Sequence, residues 1–201
     1  LYPALSSTVC TCSYSSLDLY PADILLSAMQ MLIGAKPLQR TVHGTQHTAN
    51  LLSQHVDSIN LNTTVSQVCS SGTKAYVELD NQGIRTKQEF DHVIVATQAN
   101  SAASFLGPEF QIEKELLQKL NYEDVSVAIH RDERLMPPRH KDWATFNFLS
   151  QNDNRGAMCS IWLNQFYPNW ATEEAYFQTI MPLDSPRPDM LIATAKLQRP
   201  T

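Results

Sequence analysis

Within the 201-residue sequence, the triplet His130-Arg131-Asp132 offers the most chemistry. It closes an alternating stretch in which Val125, Val127 and Ile129 share one face and Ser126, Ala128 and His130 the other. An imidazole at the end of such a strand is a candidate catalytic group, a proton relay in a pocket, because its charge changes near neutrality. A strand-end histidine paired with a neighbouring carboxylate is the plainer reading. Rings gather in the last third: Trp143, Phe146, Phe148, Trp162, Phe166, Tyr167 and Trp170. Aromatic residues build core first, and a concave apolar pocket is the second reading.

Other constellations carry less. His43, His47 and His55 stand four and eight positions apart, but Gly44 and Thr45 interrupt a helix there. Zinc needs three or four convergent ligands, so no metal site is expected. Cys10-Thr11-Cys12 lacks a second pair at ligand spacing, and no Gly-x-Ser-x-Gly elbow exposes a nucleophile. The six glycines are never closer than ten positions, whereas a pyrophosphate-binding turn needs glycines two apart. The sequence therefore holds no dinucleotide fingerprint.

Composition narrows the classes. With 43% hydrophobic and 17% charged residues, the chain can build a packed core. A net charge of −5 without basic runs argues against a nucleic-acid partner. No apolar stretch reaches the roughly 18–20 residues that span a bilayer. Four cysteines are too few for a disulfide scaffold, so a reducing, cytoplasmic setting is expected. Leu1 is not a natural start and the last residues lack a closing element, so a fragment of a longer polypeptide is expected.

The elements that must position these residues follow from period and punctuation. Pro21 opens a helix over 21–33 with Ile24, Leu25, Met29 and Leu32 on its apolar face and Gly34 as its cap. A second helix over 46–56 turns Leu51, Leu52 and Val56 inward. From residue 59 the pattern alternates, with Leu61, Thr63, Val65 and Gln67 on one face and Thr64, Ser66 and Val68 on the other. Ala75, Val77 and Leu79 alternate in the next strand, and Asp80-Asn81-Gln82-Gly83 turns the chain into a hairpin partner over 84–90. The continuous apolar run Val93-Ile94-Val95-Ala96 predicts a strand buried on both faces. Short helices follow at 101–106 and 113–120, then strands at 124–131, 143–149, 157–163, 176–181 and 190–195, with Asn152-Asp153-Asn154 and 182–188 as breaks. The order predicts a mixed α+β fold with segregated helices and antiparallel strands.

The segment Asp91-His92-Val93-Ile94-Val95-Ala96-Thr97 resembles the aspartate–apolar–Ala-Thr strand of the flavin-containing amine oxidase superfamily. Asn62-Thr63-Thr64-Val65-Ser66-Gln67-Val68 is similar to that superfamily's strand whose valine lies against the adenine of FAD. Asn121-Tyr122-Glu123, His130-Arg131-Asp132, Leu135-Met136-Pro137, Trp143 to Phe148 and Trp162-Leu163-Asn164 resemble, in order, a branch of NAD/FAD-binding proteins associated with cyclopropane-fatty-acid synthases. Thr41-Val42-His43-Gly44 is similar to its Thr-Val-x-Gly-Gly turn and Pro21-Ala22 to its helix start, with Thr45 in place of the second glycine.

The resemblance implies a β-meander of an FAD-binding lobe over 59–100 and an antiparallel-sheet substrate lobe over 101–201, with 1–58 as the substrate lobe's helical part. It implies FAD contacts at Val65, Ala96, Thr97 and Gly44, and a pocket lined by Trp143, Phe146 and Trp162 in which His130 and Asn147 orient a small, lipid-like substrate. The amine-oxidase lysine near flavin N5 would fall at 127–129, where there is none. With no glycine-rich turn in the chain, FAD is expected in the parent protein and not in these 201 residues alone. A noncatalytic scaffold that has lost its flavin is the alternative, and self-association through uncovered apolar surface is expected.

Overall fold

The computed structural model describes residues 7, 11–33, 39, 41–150, 156–167, 170 and 172–201. Cys10, the Gly34 cap, the Leu32 side chain and the 152–154 cluster lie outside the described residues. In chain order the elements are α1 (Tyr14–Leu17), α2 (Ala22–Ile33), α3 (Gly44–Ser53), β1 (Thr64–Ser71), β2 (Lys74–Asn81), β3 (Ile84–Phe90), α4 (Ala99–Phe105), α5 (Gln111–Leu117), β4 (Tyr122–His130), β5 (Phe146–Ser150), β6 (Ala157–Trp162), α6 (Leu163–Phe166), β7 (Phe177–Ile180) and β8 (Leu191–Pro200). This is the mixed α+β fold that the patterning predicts. The chain forms two compact units, Leu1–Gly34 with Asn121–Thr201, and Ala35–Leu120.

The unit Ala35–Leu120 is built on the antiparallel meander β1-β2-β3. The β2–β3 turn forms because Gln82 and Gly83 both take positive φ, 54° and 89°, the mirror-image turn whose twist matches flanking strands. Asp80 accepts the Gly83 N–H at 2.8 Å and fixes it. Behind the meander, Val68 C=O accepts the Gly107 N–H at 2.7 Å, and Ala102 and Ala103 of α4 are buried.

Three expectations are corrected here. The alternation places Val65 and Val68 on opposite faces, but a bulge between Val65 and Gln67 shifts the register. Val65 then opposes Leu79 and Val68 opposes Val77, so the two valines share a face, because an inserted residue inverts the alternation beyond it. The run 93–96 forms no strand, and Ile94 is 92% exposed. A strand covered on both faces needs flanking partners, and the sheet ends at β3 among the described residues. In α3, Leu51 and Leu52 face solvent, as does Val56 beyond it; no described element packs on that stripe.

The other unit carries a five-stranded antiparallel sheet in the order β5-β6-β7-β4-β8. Its core holds Val125 and Ala128 of β4, Ala157, Met158 and Cys159 of β6, Phe177 of β7, and Leu135 and Met136 from the β4–β5 connection. Burial raises the Cys159 thiol to about 11, which leaves it an inert apolar filler. Helix α1 is capped by Ser13, whose hydroxyl accepts the Ser16 N–H at 3.2 Å, and the Ser13 N–H donates to Glu123 of β4 at 3.0 Å.

Gly83→Ala should destabilise the meander by about 1 kcal/mol, because only glycine takes this φ without strain. Urea unfolding followed by circular dichroism measures it, and an unchanged midpoint would contradict the turn assignment.

Candidate functional site

The site in the sheet unit is set by strand register. Directly opposed residues share a face, so Asn147, Ser160, Thr179, Ala128 and Thr194 form one row across β5, β6, β7, β4 and β8. Trp162, Phe177 and His130 lie beside it on the same face, two residues along each strand. Polar side chains in an antiparallel core must find partners there, and these do.

His130 is fully buried, as are Ser160 and Thr179. Its Nδ1 accepts the Asp132 N–H at 3.1 Å, so the ring proton sits on Nε2, which donates to Thr179 Oγ1 at 2.7 Å. The Thr179 hydroxyl then donates to Ser160 Oγ at 2.7 Å, and Ser160 donates to the Leu135 carbonyl at 2.7 Å. Every donor in this chain is used once and the direction is fixed. Protonation of Nδ1 would set two N–H groups against each other. Burial lowers the His130 pKa, opposed by the nearby Asp132 carboxylate.

Asp132, also fully buried, is the second anchor. Its carboxylate accepts from Arg134 Nη2 at 2.6 Å, Arg134 Nε at 3.0 Å, Arg134 N–H at 3.1 Å and Arg187 N–H at 2.8 Å. These bonds, the Arg134 guanidinium first, hold the carboxyl far below its usual range despite burial. The carboxylate therefore pairs with arginines, while the backbone N–H of the same residue serves His130.

An open cavity of about 680 Å³ lies against this framework, lined by Trp143, Trp162, His140, Arg131, Asn164, Glu133, Glu173, Glu174 and Asp189, among others. Trp143 Nε1 donates to Pro137 C=O at 2.9 Å; its ring lies 4.2 Å from His140 and edge-on to Trp162 at 5.3 Å. Arg131 Nη1 reaches both oxygens of Glu174 at 3.1 and 3.2 Å, and Tyr176 OH donates to the same carboxylate at 2.8 Å. Asn164 clips the rim by donating to Glu174 C=O at 2.9 Å and accepting the Tyr176 N–H at 2.8 Å. Arg131 Nε and Trp162 Nε1 are shielded and meet no acceptor among the described residues.

The expected pocket residues thus divide. Trp143 and Trp162 line the cavity. Phe146 instead packs edge-on to Phe166 at 5.4 Å. Asn147 is 5% exposed, and its amide is spent on Ala144 C=O at 2.7 Å, Ser160 C=O at 3.0 Å and the Ala144 N–H at 2.9 Å. His130 is not in the cavity lining, and both ring nitrogens are occupied inside the core. Sequence reading missed Ser160 and Thr179; their signal was a hydroxyl inside each of two otherwise buried strands. The pairing of Arg131 with Glu174 gave no signal, since 43 positions separate them.

In the meander unit, Val65 lines an apolar hollow of about 330 Å³ with Val77, Leu79, Phe90 and Val93, edged by Asn60 and Gln88. Ala96 and Thr97 are exposed. Gly44 takes φ 80° at the start of α3. His43 and His47 meet edge to face at 5.0 Å; among the described residues no three His, Cys, Asp or Glu side chains cluster to hold a metal. No described helix is long and apolar enough to cross a membrane.

An antiparallel sheet with an aromatic-walled cavity, together with a separate meander unit carrying an apolar hollow, makes an α+β protein with two candidate ligand sites. The profile of the flavin containing amine oxidoreductase family matches residues 3–193, and the chain belongs to that family. Comparison with curated proteins gave no match.

Because His130 is neutral in the folded state and its pKa is lowered, the unfolded chain takes up the proton first. The stabilising contribution is complete above the unfolded value of about 6.5 and declines as pH falls below it towards the folded value. Asp132, also lowered, adds a separate loss below about pH 4. His130→Gln should flatten stability between pH 7 and 5 and keep the acid limb. It should also cost about 2–4 kcal/mol at pH 7, by leaving buried partners unpaired. Urea midpoints against pH check both, and a wild-type profile flat across pH 5–7 would refute the neutral tautomer.

Proposed function

We propose that the chain is part of an FAD-dependent oxidoreductase in which a substrate carbon gives up a hydride, the meander belonging to the flavin-binding lobe and the five-stranded sheet to the substrate lobe. The observation that carries this reading is the family match over nearly the whole chain, with the hollow at Val65 as its structural counterpart. When bound, the flavin supplies the electron-accepting chemistry that no amino-acid side chain offers.

The residues present fit one end of that cofactor. Val77, Leu79, Phe90 and Val93 give apolar wall beside Val65, and Asn60, Gln88, Thr63 and His92 add polar groups to the lining; this suits a heteroaromatic base such as adenine. Ala96 and Thr97 are exposed towards a nucleotide, with the Thr97 hydroxyl donating to Gln98 C=O at 3.3 Å. The pyrophosphate finds nothing comparable, since the glycines are at least ten positions apart and no paired-glycine turn opens a helix. Residues outside these 201 must then provide that contact.

In the substrate lobe, Trp143 and Trp162 supply apolar wall for a small, hydrophobic substrate. The Arg131–Glu174–Tyr176 group shapes the rim. His130 acts as a positioning residue, because the turn that carries Arg131 hangs on its ring. The loss of flavin in a scaffold protein is the competing reading, and the glycine spacing favours it as much as a missing partner segment.

The 201-residue chain purified alone should hold well under one equivalent of flavin. The intact polypeptide should show a bound-flavin absorbance band and bleach on anaerobic substrate addition. A colourless intact protein that does not take up added FAD would leave the scaffold reading.

In the intact enzyme, His130→Gln should slow flavin reduction less than tenfold with no shift in the pH–rate profile. Loss of a true acid or base costs about 10²–10⁴, and stopped-flow reduction separates the two.

A further inference from the structure

A second cavity, of about 350 Å³, lies on the same sheet face, at β4 and β8. Its floor follows from register: Ser126 opposes Lys196 and Ala128 opposes Thr194, so all four side chains share one face. Its roof is the loop 182–186, with Pro182 and the buried Pro186. That roof is pinned at both ends, by the Met181 N–H to Ser126 C=O at 2.8 Å and by the Arg187 N–H to Asp132 at 2.8 Å. The concavity is therefore built into the fold.

Its chemistry is the reverse of the tryptophan cavity. The larger cavity is lined by Glu133, Glu173, Glu174 and Asp189 along with Arg131 and His140; here Lys196 is the one ionisable side chain among the described lining residues. Lys196 forms no ion pair among the described residues, and the hydroxyls of Ser126, Ser185 and Thr194 have no hydrogen-bond partner there. The remaining wall is apolar: Val127, Ala128, Leu191 and the two prolines. Two acidic residues flank the site in sequence without pairing with Lys196 among the described residues. Asp124 accepts from Gln198 at 3.2 Å, and Asp184 lies in the field of Arg134.

We infer that this cavity binds a small organic carboxylate with a short apolar body, the carboxylate on Lys196 and the hydroxyls, the body against Ala128 and the prolines. An ammonium that forms no ion pair among the described residues, beside three exposed hydroxyls, favours an anion, with Asp124 one register pair along the same face as the competing charge. The apolar wall favours an organic body over a hydrated ion, and the size sets the ligand at roughly ten heavy atoms, the small end of ligand sites. The site needs no flavin, so it stands or falls apart from the redox reading.

Titration of the protein with octanoate, octanol and octylamine, followed by amide NMR and calorimetry, tests it. Octanoate should bind with roughly millimolar affinity, shifting the amides of Ser126, Ser185 and Thr194, and octylamine should bind more weakly. Lys196→Gln, at an exposed position, should weaken octanoate about three- to tenfold and leave octanol unchanged. Lys119→Gln removes the same charge elsewhere and should change nothing. Equal binding of octanoate and octanol, an unaffected Lys196 variant, or equal weakening by both lysine variants would overturn the inference.

Discussion

The sheet unit depends on a hydrogen-bond circuit that begins and ends on one turn. The Asp132 N–H donates to His130, the ring donates to Thr179, Thr179 to Ser160, and Ser160 to the carbonyl of Leu135. Asp132 and Leu135 bracket a single 3₁₀ turn, Glu133–Leu135. The circuit leaves that turn, crosses β4, β7 and β6, and returns to it. Each bond adds about 1 kcal/mol net, but opening one strands a buried group at a cost of 1–3 kcal/mol. The constraint is therefore cooperative, and it fixes both the tautomer of His130 and the stacking order of three strands.

That turn also positions the two cavities. Arg131, one residue before it, reaches Glu174 at the rim of the tryptophan cavity. The Asp132 carboxylate holds Arg187 and with it one end of the loop over the smaller cavity. Burying a carboxylate is costly unless charge and hydrogen bonds compensate it; here two arginines and two backbone N–H groups do so. A structural ion pair, rather than a catalytic dyad with His130, is what the geometry around Asp132 describes.

Much of this scaffold was legible because it is local. The β2–β3 turn is written in Asp80, Gln82 and Gly83, and the face shared by Ser126, Ala128 and His130 follows from period two. The tryptophans of the cavity were legible by type. What escaped is set at long range. The bulge at Ser66 is a decision of the pair β1–β2, since either register leaves a plausible alternation in β1 read alone. The burial of His130 depends on Thr179, 49 residues away, and the sequence marks neither as the other's partner. The run 93–96 was misread for the complementary reason: its apolar pattern states a demand for neighbours, and a pattern cannot supply them.

The neutrality of the central row has a consequence for how one sheet face can carry two unlike cavities. Four carboxylates, one of them paired with Arg131, line one cavity, and Lys196 alone among the described lining residues is ionisable in the other; between fully buried groups little water is present to screen a charge. A protonated His130 would lie inside that low-dielectric strip beside the Asp132 ion pair and would bias both cavities at once. Locking the imidazole neutral through the Asp132 N–H removes that coupling. The charge character of each cavity is then set by its own rim, Glu174 with its neighbours on one side and Lys196 on the other, and the core between them transmits geometry without transmitting charge.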